Sequence, residues 1–117
     1  NQNRADILLV VDDLIETLHT LDGDTARSLL WLIQEGPASH IRTIATIDPT
    51  RMDAGDIPLL EYFGTWMVGK METSGRAAQL SRLPLDLARN LVPGSQLALF
   101  TGGKWMRFWI LNFDQLI

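Results

Sequence analysis

Ile7-Leu8-Leu9-Val10-Val11-Asp12-Asp13 is the stretch on which the reading of this chain turns. Consecutive apolar residues ending abruptly in two carboxylates predict a strand buried on both faces, because a half-buried strand would alternate instead. Downstream, Leu14, Ile15, Leu18 and Leu21 recur at helical spacing until Asp22-Gly23-Asp24 breaks the pattern. A second helix is predicted with Asp24 or Thr25 as its cap and Leu29, Leu30, Leu32 and Ile33 as its apolar face. Gly36-Pro37 stops it. Ile41, Thr43 and Ile44-Ala45-Thr46-Ile47 read as a second strand, closed by Asp48-Pro49.

Residues Thr50 to Pro58 read as loop, with one turn of helix through Leu59-Leu60-Glu61-Tyr62. Thr65-Trp66-Met67-Val68 reads as a third short strand, and Ser74 to Leu80 and Pro84 to Leu91 as further helices. Two apolar runs, Gln96 to Phe100 and Trp105 to Leu111, flank Gly102-Gly103, which is the signature of a β-hairpin. Strands alternating with helices give an α/β class with right-handed crossovers. The expectation is a single domain over residues 1–117: a mostly parallel sheet with helices on both faces, ending in an antiparallel β-hairpin.

Composition narrows the chemistry. The 117 residues leave room for one domain, large enough to bury about two-thirds of its unfolded surface. The absence of cysteine excludes disulfides and thiolate chemistry, and the two histidines, His19 and His40, fall short of a zinc ligand set. No apolar run approaches the roughly 18 residues of a membrane span, and no long apolar segment follows the N-terminal Asn-Gln-Asn-Arg. A cytoplasmic domain without direct membrane contact is the expectation. A net charge of −4, with eight Arg and two Lys scattered along the chain, makes it a poor nucleic-acid binder by itself.

In open α/β sheets ligands bind at the carboxyl ends of the parallel strands. The groups predicted there are Asp12 and Asp13, then Thr46 and Asp48, then Gly69-Lys70. An apolar strand ending in two acids is how a Walker B strand ends: the first acid reaches the Mg²⁺ shell and the second polarises the attacking water. Asp13 alternatively serves only as a helix N-cap before Leu14. Elsewhere the inventory reads as structural. Trp31 and Trp66 are expected in the core. On the last strand Met106, Phe108 and Ile110 are expected to face the core, leaving Trp105, Arg107 and Trp109 to a helix, a neighbouring subunit or stacked bases.

The register as a whole resembles the FtsK/SpoIIIE/HerA motor ATPases. Ile7 to Asp13 is similar to their Walker B strand, and Ile44-Ala45-Thr46-Ile47-Asp48-Pro49 to their Ala-Thr-Gln-Arg-Pro sensor strand, with Thr46 33 positions after Asp13. Arg76 falls near a Ser-Arg pair that opens a later helix, and Leu91-Val-Pro-Gly-Ser-Gln-Leu-Ala-Leu-Phe100 is similar to a family turn and strand. The resemblance implies the C-terminal half of a RecA-like P-loop NTPase core. It also implies Mg²⁺ held by Asp12, water positioned by Asp13, the γ-phosphate of ATP sensed by Thr46, and Arg76 reaching a neighbouring subunit. The whole protein would form a homo-oligomeric ring translocating a polymer, most simply double-stranded DNA.

Departures from that pattern are equally legible. Asp13 stands where the family has Glu, Ile47 replaces the polar Gln, and Asp48 replaces the Arg. No Gly-x-x-x-x-Gly-Lys-Ser/Thr occurs, and Thr101-Gly102-Gly103-Lys104 joins two strands instead of opening a helix. These residues alone are therefore expected neither to bind ATP tightly nor to hydrolyse it. Two other readings compete: a degenerate ATPase-like module kept for assembly of a motor or secretion complex, and a response-regulator receiver domain using Asp12, Asp13 and Asp48. A receiver needs a strand between the first helix and the strand bearing Asp48, and residues 14–43 read as two helices.

Overall fold

The computed structural model describes residues 5–71 and 82–111. The protein is mixed α/β and divides into two compact units, Asn1–Met52 and Asp53–Ile117.

In the first unit β1 (Ile7–Val11) is followed by α1 (Leu14–Thr20), α2 (Gly23–Glu35), a 3₁₀ turn (Gly36–Ser39) and β2 (Ile41–Ala45). The two strands pair in parallel, with Ile7 beside Ile41 and Val11 beside Ala45. Two helices supply the crossover that a parallel pair requires. Asp13 caps α1, its carboxylate accepting from the Glu16 amide. Asp22 caps α2 by accepting from the Thr25 amide and hydroxyl, so the cap lies two residues before the predicted Asp24. Starting earlier recruits the Asp22 side chain, whose short reach suits a residue outside the first turn. Leu14, Ile15 and Ile33 are buried, and the two fully buried ones, Leu14 and Ile15, contribute on the order of 1.5–3 kcal/mol each. Gly36 is obligatory for closeness: a Cβ there would lie 2.8 Å from the Ile41 carbonyl oxygen.

The apolar run of β1 is not buried on both faces as predicted. Ile7, Leu8 and Val10 are exposed, as is Ile44 beside Val10 on β2, and Val10 keeps 66% of its surface. Among the described residues β1 and β2 pair only with each other. The predicted third parallel strand belongs elsewhere, and Trp31, predicted in the core, lies on α2 with 61% of its surface exposed.

The second unit is built on an antiparallel sheet of order β3 (Trp66–Val68), β4 (Gln96–Thr101), β5 (Lys104–Trp109). The predicted hairpin is present. Gly102 and Gly103 both have positive φ, 59° and 78°, which is what a two-residue turn matching the strand twist demands. The loop after Asp48 contains 3₁₀ turns over Pro49–Arg51 and Ala54–Tyr62, and the helix predicted over Pro84 to Leu91 is shorter, α3 (Leu85–Arg89). The helix predicted over Ser74 to Leu80 lies outside the described residues.

Strand pairing sorts the sheet into two faces. Trp66, Phe100 and Trp105 stand in one row across the three strands, with Val68, Ala98 and Arg107 in the next. That face is the covered one: Ala98 is fully buried, and Leu83 and Ala88 pack with Leu60, Val68, Met71, Leu85 and Trp105. The indole of Trp105 donates to the Arg82 carbonyl at 2.8 Å. Arg82 lies over the rings of Trp66 and Phe100, 5.2 and 5.6 Å from their centroids, and donates to the Phe63 carbonyl and the Glu61 carboxylate. Trp105 is covered by α3 through Leu85 and Ala88, one of the surroundings expected for it, whereas the expected burial of Met106 fails. Met106 keeps 52% of its surface exposed. Alternation separates the two faces of a strand but does not say which one Leu83 and Ala88 will cover.

Candidate functional site

The predicted carboxyl-end residues of β1 and β2 do come together. The parallel ladder continues past both strands: the Thr46 amide donates to the Val11 carbonyl at 3.0 Å and the Leu14 amide to the Thr46 carbonyl at 2.9 Å. This brings the Thr46 hydroxyl over the Asp pair. It donates to Asp12 Oδ1 at 2.7 Å and accepts from the Asp13 amide, also at 2.7 Å. The bond to the Asp12 carboxylate is short, as charge assistance would favour. The backbone turns sharply here. Asp13 sits in the left-handed region, with φ 55° and ψ 72°, a conformation sparsely adopted by residues other than Gly, Asn and Asp.

That turn aims the two carboxylates differently. Asp12 meets Thr46. Asp13 Oδ1 accepts from the Glu16 amide at 3.3 Å, and its Oδ2 accepts from Arg51 Nη1 at 3.1 Å. Arg51 also approaches Asp48, with Nε 3.8 Å from Oδ2. Asp48 is fixed in turn, its Oδ1 accepting from the Thr50 hydroxyl at 2.7 Å and from the Thr50 amide at 3.0 Å. The Thr50 hydroxyl, then the Thr50 amide, hold the Asp48 carboxyl below the usual carboxylate range.

The outcome for the predicted residues is mixed. Asp12, Asp13 and Thr46 form one cluster, with Asp13 filling the capping role as well. Gly69 and Lys70 follow an antiparallel strand of the second unit and do not belong to a parallel carboxyl edge. Arg76 lies outside the described residues. His40 ends the 3₁₀ turn in a left-handed conformation and its Nδ1 lies 3.0 Å from Asp6 Oδ1, an exposed pair. Arg51 is the site residue that sequence reasoning missed. The signal for it was a cation three residues after Asp48, brought back by the 3₁₀ turn that Pro49 opens.

Chemically the cluster is oxygen-rich. Two carboxylates and a hydroxyl, all reached by solvent and without nitrogen or sulfur donors, suit a hard cation such as Mg²⁺ held largely through water. Of the two carboxylates, Asp12 is the one whose recorded partner is the Thr46 hydroxyl, whereas Asp13 is engaged by Arg51. No helix among the described residues is long and apolar enough to cross a membrane. Searches against protein-family models, curated proteins and solved structures find no match to this chain.

Proposed function

We infer that residues 1–52 are the Walker B and sensor portion of a RecA-like ATPase of the FtsK/SpoIIIE type. The observation that carries this reading is the 2.7 Å hydrogen bond from Thr46 to Asp12 at the side-by-side ends of two parallel strands. An acid that orders Mg²⁺ and a hydroxyl that reads the terminal phosphate have to meet at one strand edge, and these two do. The uncovered faces of β1 and β2 support the same reading, since parallel sheets are otherwise covered on both sides and extended by further strands.

In this account Asp12 orients the water shell of Mg²⁺, which when bound neutralises phosphate charge. Thr46 keeps the Asp12 carboxylate in place, and sensing the γ-phosphate would require its single hydroxyl proton to turn from Asp12 to the phosphate. Asp13, held in its left-handed turn, positions the attacking water. Phosphoryl transfer depends chiefly on such positioning and charge neutralisation. The phosphate cradle has to come from outside these residues. The assembled protein would be a ring of identical subunits moving a polymer, with double-stranded DNA the simplest cargo.

A degenerate, non-catalytic module is the second reading, favoured by the guanidinium of Arg51 on Asp13 and by Ile47 where a polar residue is needed. Helices alone lie between β1 and β2, which weighs against the receiver. Calorimetric titration with Mg-ATP, run on this chain and on a form extended toward its N-terminus, separates the two surviving readings. Binding and turnover in the extended form, lost in Asp12→Asn, support the motor. Absence of binding in both forms refutes it and leaves the assembly module.

A further inference from the structure

The pair of strands β1 and β2 has one bare face. Leu8 and Val10 on β1 lie beside Arg42 and Ile44 on β2, so these four side chains share that face, and the hydrogen-bonded Asp12 and Thr46 continue it. Leu8, Val10 and Ile44 are each more than half exposed, whereas Leu9, Val11, Ile41, Thr43 and Ala45 on the opposite face are buried or half-buried. Charge lies only at the two ends of the bare face. Arg42 stands at one end and has no acidic partner among the described residues. At the other end Asp12 uses Oδ1 for the Thr46 hydroxyl. Asp12 comes four residues after Leu8, which is level with Arg42, so about 13 Å separates the two charges along the strands and they cannot pair within one chain.

We propose that this face is the contact surface of a symmetric dimer, its occupant the same face of a second copy with strands running the opposite way. A two-fold axis between the sheets, set across the strands, places each Arg42 over the strand end that carries the other copy's Asp12. The six apolar side chains then stack between two ion pairs. Copies running the same way would set Arg42 on Arg42 and Asp12 on Asp12, so the charges select the orientation while the apolar residues supply the attraction. Three apolar side chains per copy cover less than the roughly 800 Å² per partner of a standard interface, so the dimer is weak, with a Kd on the order of 100 μM. The inference goes beyond the nucleotide reading. Asp12 cannot serve a cation and a second copy at once, so the dimer belongs to the cation-free state.

The test is sedimentation equilibrium of the whole chain without Mg²⁺, from about 10 μM to about 1 mM. A monomer–dimer equilibrium is expected, weakening as salt is raised. Arg42→Asp and Asp12→Arg, each checked for folding by circular dichroism, should separately weaken it by about tenfold or more, because each sets like charges against one another. An equimolar mixture of those two variants re-forms both ion pairs and should associate within about threefold of the wild type. Val10→Asp should leave a monomer, and Arg107→Asp, on β5 of the second unit, should change nothing. A monomer at every concentration would overturn the proposal and leave the face to a helix or strand from outside these residues. A dimer that survives Val10→Asp, or a mixture of folded variants that fails to associate, would overturn it as well.

Discussion

Replacing Thr46 by Val keeps the shape of the side chain and deletes one oxygen, and that oxygen joins the two halves of the strand-end turn. It donates to Asp12 and accepts from the Asp13 amide. A hydrogen bond to a charged group contributes about 1.5–3 kcal/mol and a neutral one about 0.5–1.5 kcal/mol when shielded from solvent. Thr46 is exposed, so water replaces part of each bond, and the net loss falls to about 1–2 kcal/mol. Urea unfolding of a domain this small has a slope of roughly 2 kcal/mol per molar, so the midpoint should fall by about 0.5–1 M. Thr46→Ser retains the hydroxyl and should keep most of the stability. The assay is urea denaturation followed by far-UV circular dichroism, with amide exchange at Asp13 as the local reporter. An unchanged midpoint in Thr46→Val, or a serine variant as damaged as the valine, would refute the bridging role.

Other perturbations separate the remaining parts of the account. The Thr25 amide and then its hydroxyl hold the Asp22 carboxyl below its ordinary value of 3.8, so its capping contribution is complete above that pH and disappears as the pH falls through the lowered value. Acid titration should therefore fray α2 in the wild type, and Asp22→Asn, which caps in every protonation state, should flatten that transition in circular dichroism. Gly36→Ala should destabilise the first unit by about 1–3 kcal/mol through the clash with the Ile41 carbonyl, read as a lower melting temperature. Leu91→Ala empties a fully buried position and should cost about 2–4 kcal/mol in urea. Trp109→Ser, at a side chain with 68% of its surface exposed, should stay within about 0.5 kcal/mol of the parent.

Local signals made β1, α1, α2, β2 and the hairpin legible, because each announces itself within a few residues: an apolar run, a 3.6-residue period, or Gly102-Gly103 at a turn that requires positive φ. Partnership between distant strands is a different kind of information. Thr65 to Val68 reads as a strand whichever sheet it joins, and only its pairing of Trp66 with Phe100 makes it antiparallel. Trp31 fits the apolar stripe of α2 by type, yet the buried position on that helix is Ile33. The Asp12–Thr46 meeting was readable because both residues end apolar strands that pair in parallel. Arg51 was not, because its approach to Asp13 depends on a 3₁₀ turn and on the left-handed backbone at Asp13, neither of which has a periodic trace in the sequence.

The central claim, that Asp12 and Thr46 form the cation edge of a nucleotide site, is tested most directly with Mn²⁺ in place of Mg²⁺. Paramagnetic broadening in an amide NMR spectrum reports even weak occupancy. The account predicts broadening strongest at Asp12, Asp13 and Thr46, and its loss in Asp12→Asn. Broadening spread evenly over exposed acids such as Glu61 and Asp86, and unaffected by that substitution, would contradict it.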